Sequence, residues 1–251
     1  MSLSQFQNAL AMLIRLPEIN RGKTLSAFLF QFDLNTTESD RVVQLAADAK
    51  VVKYGRSMAN GRWDGILNRL SVVKNFIKPT LLENLWRLEF EPKATMLNAP
   101  EIFIGFYDFL LNHPAAQKAL ESEAPEFSND LLRFERAQLS YRCGEMVNPP
   151  APKPESCLQH RKFSFVTLAY DIPELLIRLE QDVPTDFAAY APVRRPILLM
   201  LLGEPFQRSC RYFEITEDIQ NFLVATENGI ANGADVPNFY SDLVKIGVCK
   251  E

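Results

Sequence analysis

Two histidines, His113 and His160, and four cysteines, Cys143, Cys157, Cys210 and Cys249, are the side chains best suited to hold a metal or attack a substrate. Zinc and iron sites on protein ligands usually gather two or more imidazoles or thiolates, often at C-x-x-C spacing. Here the cysteines stand far apart, His113 directly precedes Pro114, and His160 follows a proline-rich stretch. No metal centre is expected in this chain, and the cysteines read as small buried hydrophobes. No G-x-S-x-G turn raises a serine nucleophile, and the ten glycines form no phosphate-cradling loop. The carboxylate pairs Glu121/Glu123 and Glu217/Asp218 fall on helix surfaces or helix starts, where negative charge favours the macrodipole without any catalytic role. The sequence therefore offers no catalytic residue and no cofactor site of its own.

The bulk numbers suit a folded protein that serves a partner. The chain has 251 residues, enough for one large domain or two modest ones, with 47% hydrophobic and 23% charged residues. Its net charge of −4 is unevenly placed. Met1–Val147 is neutral, with 17 basic and 17 acidic residues, whereas Asn148–Glu251 carries 10 against 14. Within the first half, Arg41–Lys93 holds 10 basic residues and 5 acidic ones, a local excess that suits an acidic partner or nucleic acid. The longest apolar run, Ile197–Leu202, is strand-sized, and no secretory leader is recognisable. A cytoplasmic protein with no membrane attachment is expected.

The elements that must position any site change character at Asn148–Ser156, where four prolines can neither continue a helix nor join a sheet interior. Before it, helical spacing of apolar residues appears in Gln5–Leu16, from Ser39 toward Tyr54, in Trp63–Phe76, after Thr80, in Pro100–Asn112 and from Ser128 onward. Thr80 with Glu83 has the form of a capping box. After it, Phe163–Ala169 alternates as a strand does, and Asp171 is placed to cap a helix over Pro173–Gln181. Pro196–Leu202, Gly203-Glu204-Pro205 and Gln207–Ile215 read as a β-hairpin. Thr216 opens a helix stopped at Asn228-Gly229, and a last helix runs from about Val236 to Ile246. The expected fold is α+β: an all-helical domain over residues 1–147, a linker over 148–160 and a small α+β domain over 161–251.

Three blocks carry a resemblance. They are Tyr54–Leu70 (YGRSMANGRWDGILNRL) continued by Val72–Phe90; Met96–Leu110 (MLNAPEIFIGFYDFL) with His113-Pro114 and Asp130–Ala137 (DLLRFERA); and Leu168–Pro173 (LAYDIP) with the hairpin and helix after it. In this order they resemble the accessory proteins of multinuclear non-haem iron-dependent oxidases, a family also labelled a putative DNA-binding domain. The likeness is strongest to partner subunits of 3-thiaglutamate-type pathways. It covers about four-fifths of the chain, from Tyr54 onward. The resemblance implies a non-catalytic subunit that binds a ribosomally made precursor or carrier peptide and presents its cysteine to the oxidase. The iron would then lie in that partner.

Two sets of residues are expected to serve this role. Strand addition at a sheet edge holds an extended peptide through main-chain hydrogen bonds, with side-chain pockets adding selectivity. The hairpin and its following helix place Arg208, Arg211, Tyr212 and Leu223 for that task. Trp86, Phe90, Phe103, Phe106 and Tyr107 in the helical half are expected to dock the oxidase, since aromatics often anchor interfaces. The competing reading is a DNA-binding transcriptional regulator, supported by the basic excess of Arg41–Lys93. An isoelectric point near 5.4 weighs against it.

Overall fold

The computed structural model describes residues 3–15, 25, 28–91, 99–143, 158, 162–181, 187, 190–203, 209–228 and 237–250. The fold is α+β, with helices through the N-terminal part and a three-stranded antiparallel sheet in the C-terminal part. Two compact units are present: Met1–Lys74 with Pro79–Phe106, and Asn75–Lys78 with Tyr107–Glu251.

In the first unit, α1 (Leu3–Arg15), α2 (Thr36–Ala47) and α3 (Ala49–Arg69) pack around Ala9, Leu13, Val42 and Ala46. The start of α2 lies earlier than its apolar pattern suggests. Asn35, not Ser39, is the cap: its side chain accepts from the Glu38 amide at 2.9 Å while the Glu38 carboxylate accepts from the Asn35 amide at 2.9 Å. Asp48 ends α2 and starts α3, its carboxylate accepting from the amides of Lys50 and Val51. The expected helix over Trp63–Phe76 is instead the last third of α3, followed by the short α4 (Val73–Phe76). The next helix, α5 (Pro79–Asn84), begins at Pro79, so Thr80 lies inside it. Glu83 accepts from Arg87 rather than closing a capping box. Leu85–Phe90 then forms a wide π-helical turn, in which the Glu91 amide donates to Trp86 O at 2.7 Å. Trp86, Phe90 and Phe106 meet there with ring centroids 5.2–5.3 Å apart.

The next three helices are α6 (Ala99–Asn112), α7 (Pro114–Glu123) and α8 (Ser128–Arg142). The sheet has the order β1 (Phe163–Leu168), β2 (Ile197–Gly203), β3 (Cys210–Glu214). Helix α9 (Ile172–Gln181) joins β1 to β2, and α10 (Glu217–Glu227) and α11 (Tyr240–Lys245) follow β3. Alternation sends Ser164, Leu201 and Tyr212 to one face, and Phe165, Met200 and Phe213 to the other.

Helix α8 covers the first face. Tyr141 donates to Leu201 O at 2.8 Å, and Phe134 meets Tyr212 edge-on at 5.2 Å. Leu223 of α10 and Leu243 of α11 cover the second with Met200, Leu202, Val248 and Cys249. Covered on both sides, β2 reads as the continuous run ILLMLL and not as an alternating one.

The expected division near residue 147 is thereby corrected. Helix α8 belongs to the same compact unit as the strands, because it supplies the layer that buries one face of the sheet. Of the expected linker, only Leu158 is described, and it makes an antiparallel bridge with Cys249. The described strands confirm the expected hairpin pairing, while its turn residues Glu204 and Pro205 lie outside the described residues.

Candidate functional site

Among the described residues β3 is an edge strand, hydrogen-bonded on one side to β2. Its register decides which backbone groups look outward. The Ile215 amide donates to Leu198 O at 2.9 Å, so the bonded pairs continue at Phe213↔Met200 and Arg211↔Leu202. The N–H and C=O groups of Tyr212 and Glu214 therefore point away from β2, toward the place an added strand would occupy. This is the backbone pattern that strand addition requires.

The side chains around this edge come from three elements. Arg211 is exposed, its guanidinium 5.5 Å from the Phe213 ring centre and its Nη2 donating to Ile246 O at 3.5 Å. Tyr212 leans to the other face, half-buried against Phe134. Burial raises its phenol pKa, and the negative charge of Glu180 on α9 adds to the shift. At the end of the strand, Glu214 accepts from Arg195 at 2.6 Å. The same guanidinium donates to Asp171 at 2.9 and 2.5 Å. Asp171 also caps α9 by accepting from the Glu174 amide at 3.1 Å, as its position before Pro173 suggests. The Arg195 pKa is raised, first by its hydrogen bonds to Glu214 and Asp171. Arg195 thus fixes the α9 cap to the last residue of the edge.

Below the sheet, α8 supplies the anchors. Asp130 is buried and accepts from the amides of Ala169 and Tyr170 at 2.5 and 3.0 Å, holding the chain where β1 ends. Tyr107 of α6 donates to the buried Glu135 of α8 at 2.6 Å. Desolvation, with Glu135 beside it, pushes this phenol pKa well up. Beside that pair, Arg136 donates to Asp108 at 2.8 Å. Gly203 is explained by a close approach: a Cβ there would lie 3.1 and 3.2 Å from atoms of the Tyr141 ring. Among the described residues no group of three or more His, Cys, Asp or Glu side chains is placed to hold a metal ion, and no helix is long and apolar enough to cross a membrane.

No protein-family model and no curated protein matches this chain.

The residues expected to bind peptide are not gathered in one pocket. Arg211 and Tyr212 flank the edge from opposite faces, and Arg208 lies outside the described residues. Leu223 is fully buried under β2, so it is core and offers no pocket wall. The docking set needs a similar correction. Trp86, Phe90, Phe106 and Tyr107 are 1%, 8%, 0% and 2% exposed, so their rings are packing and present no surface to a partner. Phe103 is partly buried, with the Arg69 guanidinium 4.1 Å above its ring. Arg195 and Glu214 belong to no local motif in the sequence. Asp130 and Glu135, five residues apart on a helix rich in polar side chains, likewise carry no local signal.

Proposed function

We propose that this chain is a non-catalytic partner subunit. It holds a ribosomally made precursor or carrier peptide as an added strand on β3 and presents the peptide's cysteine to a multinuclear non-haem iron oxidase. The observation that carries this reading is the edge itself: the backbone groups of Tyr212 and Glu214 point outward from a sheet whose central strand is buried on both faces. The sequence resemblance supports the identity of the partner, and cysteine as the residue presented. Main-chain bonding at the edge supplies affinity. Arg211 on one side, with Glu214 and Arg195 at the end, supplies charge selectivity. The same charges keep edges of two identical chains from pairing. The iron and its chemistry belong to the oxidase in this reading.

The edge is tested by removing one outward N–H. Glu214→Pro deletes it while leaving the β2–β3 ladder intact, because proline is tolerated on the outer side of an edge strand. Glu214→Ala removes only the carboxylate. In co-expressions with candidate iron oxidases and their peptides, mass spectrometry should show full modification with the wild-type chain and a reduction of only about twofold with Glu214→Ala, which loses charge selectivity but keeps the outward N–H. Glu214→Pro should reduce modification at least about tenfold, by the loss of a backbone bond and of the room for a paired strand. Full modification by an oxidase alone, with this chain absent, excludes the partner role. Equal activity of both variants excludes the edge.

A further inference from the structure

The long helix of the first unit carries a surface for which the fold has no internal use. Ala49–Trp63, the first fifteen residues of α3, contains Lys50, Lys53, Arg56 and Arg62 and no carboxylate. Arg62 is committed, donating to Glu91 at 2.9 and 2.6 Å and to Arg15 O. Lys50, Lys53 and Arg56 are exposed, and among the described residues none forms an ion pair. Lys50 in the first turn opposes the macrodipole, and Lys53 and Arg56 lie beyond its reach, so none of the three stabilises the helix through it.

Spacing brings three of these features into one row. Lys53, Arg56 and Asn60 follow one another at helical intervals of three and four residues, on one side of α3. Arg87 donates to Asn60 at 2.9 Å, which places the π-helical turn beside that row. The residue after Arg87 is Leu88, 72% exposed, and Tyr54, one position after Lys53, is 55% exposed. The cationic row and these two exposed apolar side chains thus lie on the same two elements, α3 and the π-helical turn.

We infer that this face, Lys53–Arg56–Asn60 with Arg87 and Leu88, docks an acidic segment of a partner protein. Charge complementarity sets the sign of the occupant. Two features favour polypeptide over nucleic acid. An exposed leucine has nothing to gain from a phosphate backbone. Three uncommitted cations would also neutralise about three phosphates, against the roughly six to ten typical of duplex binding. The inference stands on the first unit alone and does not depend on the β3 edge, so either can fail without the other.

The test uses the full chain and a fluorescein-labelled helical peptide of glutamate and leucine, read by anisotropy. Its glutamine-for-glutamate counterpart and a duplex DNA serve as comparators. The acidic peptide should bind, weaken with added salt and exceed the glutamine peptide by at least about tenfold. Lys53→Glu with Arg56→Glu should abolish that advantage, and Leu88→Ser should weaken binding by about three- to tenfold. Both positions in the double variant are exposed, so the melting temperature should not change. Lys53→Gln with Arg56→Gln supplies a milder version should the reversed pair fold poorly. Equal binding of the two peptides, or unchanged affinity in both double variants, overturns the inference. So does tighter, salt-sensitive binding of the DNA that the same variants remove, which would assign the face to nucleic acid.

Discussion

The two long helices, α3 and α8, treat their charges in opposite ways. α8 buries Asp130 and Glu135 and gives each a partner: two backbone amides for the first, the Tyr107 hydroxyl for the second. α3 carries more cations than the fold employs, and it leaves Lys50, Lys53 and Arg56 in solvent. A buried charge left without partners costs far more than an exposed one, so the carboxylates of α8 must be part of the scaffold. The cations of α3 carry no such constraint. In this protein the buried carboxylates of α8 help build the fold, and the exposed cations of α3 do not.

Removing a scaffold carboxylate should give the largest effect. Asp130→Ala removes the acceptor shared by the amides of Ala169 and Tyr170, and a loss of about 2 kcal/mol is expected in chemical denaturation. Asp130→Asn keeps one acceptor and should lose about half as much. A cost below about 1 kcal/mol for the alanine variant would mean that Asp130 is no anchor, and the contrast with α3 would collapse.

The contact between α8 and β2 gives two smaller effects. Gly203→Ala places a methyl 3.1 Å from the Tyr141 ring, and about 1–2 kcal/mol of destabilisation is expected from overpacking. Tyr141 itself makes stability depend on alkaline pH. Burial is the main cause that raises its phenol pKa from 10.0 to about 12. The unfolded chain therefore releases this proton first, and above pH 10 it binds fewer protons than the folded chain. Stability should be intact below pH 10 and fall as pH rises toward about 12. Tyr141→Phe should cost about 1 kcal/mol at neutral pH through the bond lost to Leu201 O, and should flatten part of that alkaline decline. Melting curves across the alkaline range check both statements. An unchanged alkaline slope in the variant would show that the phenol is not buried as described.

How much of this was legible in the sequence depended on whether the cause was local. The strands, the hairpin pairing and the Asp171 and Thr216 caps follow from alternation and from side chains acting within three residues, and these appear as expected. The junction of α2 and α3 was missed because Asp48 breaks an apolar spacing that continues across it. The aromatics Trp86, Phe90, Phe106 and Tyr107 were too many for a single small core on inspection. Yet the π-helical turn lets three of them converge, and α6 with α8 buries the fourth. The layer role of α8 was also hidden. It depends on Asp130, Phe134 and Tyr141 reaching partners 30 to 80 residues away, and periodicity carries no information about such pairs. On the edge strand, alternation alone places Arg211 and Tyr212 on opposite faces, whereas the clamp of Arg195 on Glu214 and Asp171 needs three dimensions.

The smallest effect sharpens the comparison most, because it repeats one substitution in the opposite setting. Gly61 sits on the outward side of α3, and a Cβ there would meet nothing within 4 Å. Gly61→Ala therefore adds no contact and no clash. What remains is the backbone freedom that glycine keeps in the unfolded chain, and about 0.5–1 kcal/mol of stabilisation is expected. The same change destabilises at Gly203, where the Tyr141 ring already fills the space. A thermal-melt series on both variants reads the two signs directly. Destabilisation at Gly61 would require something to lie against the outer face of α3, and that face would then not be open to a partner.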